Sequence, residues 1–98
     1  MVITILEAPV AADRVADLEH AYRLATTSAL PAAIVETFLT RDAGDPGRYR
    51  IVTVWRSRAA LEAMRASGET PKGVQMFQDV GSAPELSILD VVDHGRHA

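Results

Sequence analysis

The run from Arg48 to Gly68, Arg-Tyr-Arg-Ile-Val-Thr-Val-Trp-Arg-Ser-Arg-Ala-Ala-Leu-Glu-Ala-Met-Arg-Ala-Ser-Gly, changes its period once, at Ser57. Before that point Tyr49, Ile51, Val52, Thr53, Val54 and Trp55 are β-branched or aromatic, the types that fit a pleated, half-buried surface. Ser57 suits an N-cap, because its hydroxyl accepts from a free backbone N–H of a first helical turn. Ala60, Leu61 and Met64 then recur at helical spacing, and Gly68 can supply the left-handed residue that ends a helix. A strand therefore carries Trp55 to its own end and turns at once into a helix.

The flanking segments fall into the same two periods. Met1 to Glu7 reads as a first strand, stopped by Pro9, which cannot donate to a ladder. Ala11 to Thr27 reads as a helix with Val15, Leu18, Ala21, Tyr22 and Ala25 on one stripe; Pro31 bars its continuation. Ala33 to Arg41 reads as a second strand. Arg41-Asp42-Ala43-Gly44-Asp45-Pro46-Gly47 is turn chemistry, so a hairpin leads into the third strand, Tyr49 to Arg56. Arg58 to Ser67 is the second helix. Thr70-Pro71 predicts an N-cap and a first helical proline for a short third helix, Lys72 to Val80, although Gly73 weakens it. Glu85 to Val92 is the last strand, and the polar tail Asp93 to Ala98 is expected to be mobile.

The order β-α-β-β-α-β, with a short helix before the last strand, is the ferredoxin-like pattern, an α+β fold with an antiparallel sheet. Ninety-eight residues suit one domain spanning 1–98. Two helices cover one sheet face. Strict alternation puts Val35, Leu39, Val52 and Val54 on the other face, opposite Phe38 and Trp55, and a second copy of the sheet is the simplest cover for it. A homodimer joined through its sheet faces is therefore expected.

Charge and composition narrow the function. The net charge is −3 with only 10 Lys and Arg, which disfavours nucleic-acid binding; the aliphatic open face disfavours it too. No segment has the length of a membrane span or signal peptide, and a cytoplasmic address is expected. The absence of cysteine excludes disulfides and thiolate chemistry. His94-x-x-His97, near Asp90 and Asp93, has the composition of a metal site but lacks a fixed geometry and a specified third ligand, so no metal is expected.

Val54-Trp55-Arg56-Ser57 followed by Ala60-Leu61 resembles the antibiotic biosynthesis monooxygenase family, within the dimeric α+β barrel superfamily, and the order of elements matches over nearly the whole chain. The resemblance implies a homodimer of face-to-face sheets, a pocket between sheet and helices with Trp55 as a wall, and oxygenation of an aromatic or quinol-like molecule without a cofactor. The quinone-forming members carry an Asn four residues before the Trp and a Tyr six residues after it; here those places are Ile51 and Leu61. In the haem-degrading branch the functional positions fall at Ala8, Met64 and near Val74, so haem degradation by that mechanism is not expected.

The residues themselves offer a short set of candidates. Trp55 either walls a pocket or closes the core at the strand end. Tyr22 lies on the helix stripe, so its hydroxyl seeks a partner. Glu36 shares parity with Ile34 and Phe38 and is expected on the helix side with Trp55, where a buried carboxylate would be a general base; a salt bridge or solvated end is the alternative. His20 borders the stripe as a second candidate base, or as a plain surface histidine. Tyr22, Glu36 and His20 are thus the candidate catalytic groups, and Trp55, Tyr22, Phe38, Met64 and Phe77 the candidate walls for a small apolar or aromatic ligand. Lys72 could attract an anionic group to the mouth. The alternative is a non-catalytic, ligand-binding or structural homodimer of the same fold. An open cavity beside Trp55 favours the enzyme and a filled core favours the structural protein.

Overall fold

Strand β3 (Arg48–Trp55) is the most buried strand of the protein, because it lies inside the sheet and takes a partner on each side. We describe residues 1–28 and 30–97 from a computed structural model; Ala98, the last position of the expected tail, lies outside them. The sheet order is β2-β3-β1-β4, with β1 Val2–Pro9, β2 Ile34–Arg41 and β4 Glu85–Asp90, and every pairing is antiparallel. Helix α1 (Val15–Thr27), entered through a 3₁₀ turn at Ala12–Arg14, carries the chain from β1 past β3 to β2. Helices α2 (Arg58–Ala66) and α3 (Lys72–Asp79) carry it from β3 past β1 to β4. Two such split β-α-β crossings make the expected ferredoxin-like α+β fold. Among the described residues no helix is long and apolar enough to cross a membrane.

Most local expectations hold for the reasons given. The Ser57 hydroxyl accepts from the Ala60 N–H at 3.1 Å and caps α2. Gly68 follows the helix with φ +77°, a conformation that a side chain would strain. Two details differ. Pro71, not Thr70, is the N-cap of α3, with no side-chain bond to the first turn. Gly73 strengthens the packing rather than only weakening the helix: a Cβ there would stand 2.8 Å from Leu6 Cδ1, so its absence lets α3 sit directly on the sheet.

The apolar residues beneath the helices form two separate clusters. Leu6, Ala8, Leu18, Tyr49, Ile51 and Phe77 belong to the first, under α1 and α3. Val2, Trp55 and Leu61 form the second, with Ile34, Met64 and Ile88 packed against it. The opposite sheet face carries Ile3, Ile5, Val52 and Val54 on the two central strands, with Phe38 and Leu89 on the flanking ones; Phe38 is 47% exposed and Leu89 46%.

The expected alternation fails in β2. Ile34 lies opposite Trp55, but Glu36 lies opposite Val54, so Val35 is an extra residue and the strand bulges there. A one-residue slip exchanges faces for everything beyond it. Leu39 therefore packs into the first cluster on the helix side. Glu36 and Phe38, expected beside Trp55, are instead exposed on the open face.

Both ends of β2 are pinned, which forces the bulge between them. At the entry, the Arg56 backbone N–H donates to the Ala33 carbonyl at 2.9 Å and the Arg56 guanidinium to the Ala32 carbonyl at 2.5 Å. At the exit, the Asp42 carboxylate accepts from the Gly44 and Asp45 N–H groups at 3.0 and 2.8 Å and from Arg50 at 2.7 Å. Arg50 also meets Glu7 at 2.5 Å. The Arg50 guanidinium holds the Asp42 carboxyl below the usual carboxylate range. A carboxylate with a lowered native pKa stabilises the fold above its unfolded value, near 4, and loses that contribution as pH falls through the native value. Asp42→Asn should therefore lower the urea midpoint at pH 7, and the difference from wild type should close as the pH falls below about 4.

Candidate functional site

Between the two clusters the sheet presents hydroxyl groups instead of hydrocarbon. Thr4 on β1 pairs with Thr53 on β3, and Thr53 pairs with Thr37 on β2, so three threonines stand in one row across three strands. The neighbouring rows are Val2–Trp55–Ile34 on one side and Leu6–Ile51–Leu39 on the other. Helices cover those rows, and over the threonines a cavity of about 340 Å³ remains. That volume lies at the small-molecule end of known ligand sites.

The walls are mostly apolar. Trp55, 7% exposed, and Leu61 come from the strand-to-helix junction, and Met64 from the next turn of α2. Tyr22 enters from α1, and Val74 and Met76 from α3. The local reason is the change of period at Ser57: it places Trp55 at the end of β3 and Leu61 and Met64 one and two turns into α2, all facing the same space.

Hydrogen bonds tie this floor to its ends. The Trp55 indole Nε1–H donates to Thr4 Oγ1 at 2.9 Å, a buried contact. The Tyr22 hydroxyl donates to Thr37 Oγ1 at 3.4 Å, and Thr37 and Thr53 are joined by one hydrogen bond of 3.3 Å in which either hydroxyl can donate. At the rim Arg65, Glu69 and Lys72 bring charge to the opening. The interior floor thus holds neutral hydroxyls and an indole N–H, with charged groups at the mouth. It can orient a polar atom on an otherwise apolar ligand.

The structure divides the sequence candidates. Trp55, Tyr22 and Met64 border the cavity, as does Lys72. Phe77 is fully buried in the first cluster and fills core between α3 and the sheet rather than lining the space. His20 is exposed on α1 and does not border the cavity. Glu36 and Phe38 point the other way because of the bulge at Val35. Conversely, Thr4, Thr37 and Thr53 had no mark in the sequence as site residues. Threonine is an ordinary strand former, and only cross-strand register shows that the three are adjacent.

A ferredoxin-like sheet with helices on one face and a cavity between the two layers defines the class: a two-layer α+β protein. A profile of antibiotic biosynthesis monooxygenases matches residues 1–76, and the chain belongs to that family. Among solved structures, a candidate antibiotic biosynthesis monooxygenase from Deinococcus radiodurans aligns with a TM-score of 0.75 at 16% identity, over 100% of this chain and 99% of its own. Rv0793 from Mycobacterium tuberculosis aligns with a TM-score of 0.70 at 19% identity, over 97% and 98%. SnoaB from Streptomyces nogalater, a cofactor-independent oxygenase, aligns with a TM-score of 0.69 at 19% identity, over 95% and 94%. At such identities the likeness concerns the fold. A comparison with functionally curated proteins found no match.

The bond between Trp55 and Thr4 makes a direct prediction. Thr4→Val keeps the shape but leaves the buried indole N–H without its acceptor. It should cost about 1–3 kcal/mol, read from urea unfolding followed by the fluorescence of this one tryptophan.

Proposed function

We propose that this protein is a cofactor-independent monooxygenase that acts on an aromatic or quinol-like molecule held between the sheet and its helices. The observation that carries this reading is the cavity itself: a ring-sized apolar space beside Trp55, floored by hydroxyls, in a chain of the monooxygenase family. Trp55 and Met64 would hold the ring by its faces and edges. Tyr22 would orient a substrate oxygen from the α1 side. His20 and Glu36 stand outside the cavity lining, and this reading assigns the base role to neither. An electron-rich ring anion can itself reduce dioxygen. When a ring methylene becomes a carbonyl, one oxygen atom enters the product and the other leaves as water with the two methylene hydrogens, and the substrate supplies all four electrons.

The second reading, a non-catalytic ligand-binding dimer, draws support from Ile51 and Leu61. Both are buried and apolar, 5% and 1% exposed, at positions where hydrogen-bonding groups would assist oxygenation. Oxygen uptake by the purified protein against a panel of anthrones, quinols and catechols separates the two. The oxygenase reading expects uptake that depends on protein and is lost in Trp55→Ala. Because removing a buried Trp costs about 3–5 kcal/mol, Trp55→Phe serves as a milder companion and should retain partial turnover. No uptake with any substrate, from a folded wild-type protein, would leave the binding reading standing.

The active unit in this reading is a homodimer. An antiparallel sheet can leave a polar face to water, whereas an apolar face gains from a covering layer, and the open face offers Ile3, Ile5, Val52 and Val54 at its centre, ringed by Phe38 and Leu89. A twofold pair uses the same patch twice, so a second copy covers it without any further specificity. Sedimentation should give twice the monomer mass, and Val52→Asp, which places a charge at the middle of that patch, should give the monomer mass. A wild-type monomer at micromolar concentration would refute the assembly.

A further inference from the structure

The three threonine hydroxyls carry more information than their number suggests, because their partners are known. Each hydroxyl has one proton to give and room to accept two. Trp55 Nε1–H donates into Thr4, and an indole N–H can only donate. Among the described residues the Thr4 proton meets no acceptor. At the far end Tyr22 donates into Thr37. One hydrogen bond joins Thr37 and Thr53 and uses the proton of one of them, so whichever donates, the other's proton is free. Two protons of the row are thus unengaged, and both belong to side chains that line the cavity. Thr4 is 7% exposed and Thr53 8%, and Thr37 is half-buried, so both free protons stand in a sheltered, mostly apolar space.

We propose that this row, centred on Thr53, is the specificity-determining element of the cavity, and that it selects ligands by an accepting oxygen: a carbonyl or ionised hydroxyl on an apolar ring. The selection rests on reading the cavity as a ligand site, as above, and is independent of whether oxygen chemistry follows. Donors at both ends of the row push its remaining protons toward the open space, and successive hydroxyls polarise one another. A carbonyl oxygen placed there takes up protons that are otherwise unpaired in a buried site. An ionised oxygen gains more, because hydrogen bonds to a charged acceptor are about twice as strong as neutral ones. A bare hydrocarbon of the same shape gains only the apolar contact and leaves the donors unmatched, which is where a site built for a polar group discriminates most. The three threonines also fix where the oxygen lies. They run across the sheet rather than along one strand, so the accepting oxygen is directed to the floor and the ring's edge to Trp55 and Met64.

The test compares probes of one ring system, 1,4-naphthoquinone and naphthalene, by quenching of Trp55 fluorescence. The chain has no cysteine to add to the quinone. The double variant Thr37→Val/Thr53→Val keeps the branched shapes and removes both hydroxyls of the pair, because loss of either one alone frees the proton of the other; Thr37→Ser/Thr53→Ser restores both hydroxyls on smaller side chains. Circular dichroism and the urea midpoint confirm that each variant is folded. Wild type should prefer the quinone. The double Val variant should weaken quinone binding about tenfold, equivalent to about 1.4 kcal/mol, while naphthalene binding is unchanged or tighter; the double Ser variant should recover most of the quinone affinity. Equal losses for both probes, or no loss in the double Val variant, would overturn the selection and leave the oxygenase proposal to the oxygen-uptake assay. Binding of neither probe to folded wild type would overturn both the selection and the cavity as a ring-binding site.

Discussion

Ile34 faces Trp55 and Arg41 faces Tyr49, so β2 uses eight residues to run alongside seven of β3. The ends cannot slide to relieve the mismatch. Arg56 holds the entry through the Ala32 and Ala33 carbonyls, and the Asp42 turn with Arg50 holds the exit. The surplus residue is expelled at Val35, and the faces of β2 exchange there. The composition of the site follows from that exchange: Thr37 joins Thr53 on the helix side, and Glu36 and Phe38 move to the open face. Had β2 paired without a bulge, a carboxylate would face the helices and the hydroxyl row would stop at two strands.

The same register explains why a cavity exists in so small a protein. A continuous apolar face under the helices would let side chains close over it, since interiors pack densely. Here a row of short, polar residues interrupts the face, with one cluster gathered around Phe77 and Leu18 and the other around Trp55 and Leu61. Gly73 draws α3 tightly onto Leu6 and Ile51 at one side of the gap. Capping by Ser57 directs α2 over the other. The two helices converge on different clusters and leave the middle unfilled. The bond from Trp55 to Thr4 crosses from the apolar wall to the polar floor, and it orients the indole against a single acceptor.

Much of this protein is legible from residues alone. The junction at Ser57, the hairpin at Asp42 to Gly47 and the proline and glycine stops mark the element order, because they act through local backbone physics within a few residues. Trp55, Tyr22 and Met64 are recognisable as cavity candidates from their position on a strand end or a helix stripe. The misplaced residues all depend on distant partners. Alternation assigns Glu36 and Phe38 to the helix side, and it holds only while a strand is regular; β2 has apolar residues on both faces and so gives no internal sign of the slip. The stripe of α3 turns Phe77 inward, but inward into packed core or into empty space is a matter of what the other elements bring. His20 borders a stripe whose edge the sequence does not locate to within one residue.

Local propensity and patterning therefore determined the α+β class, the succession of strands and helices, the two apolar faces of the sheet and the tryptophan at the head of α2. Cross-strand register decided which hydroxyls stand together, where the void lies and which carboxylate is kept out of it. Such pairings join residues as far apart as Thr4 and Thr53, and no periodicity within one strand carries the alignment between two.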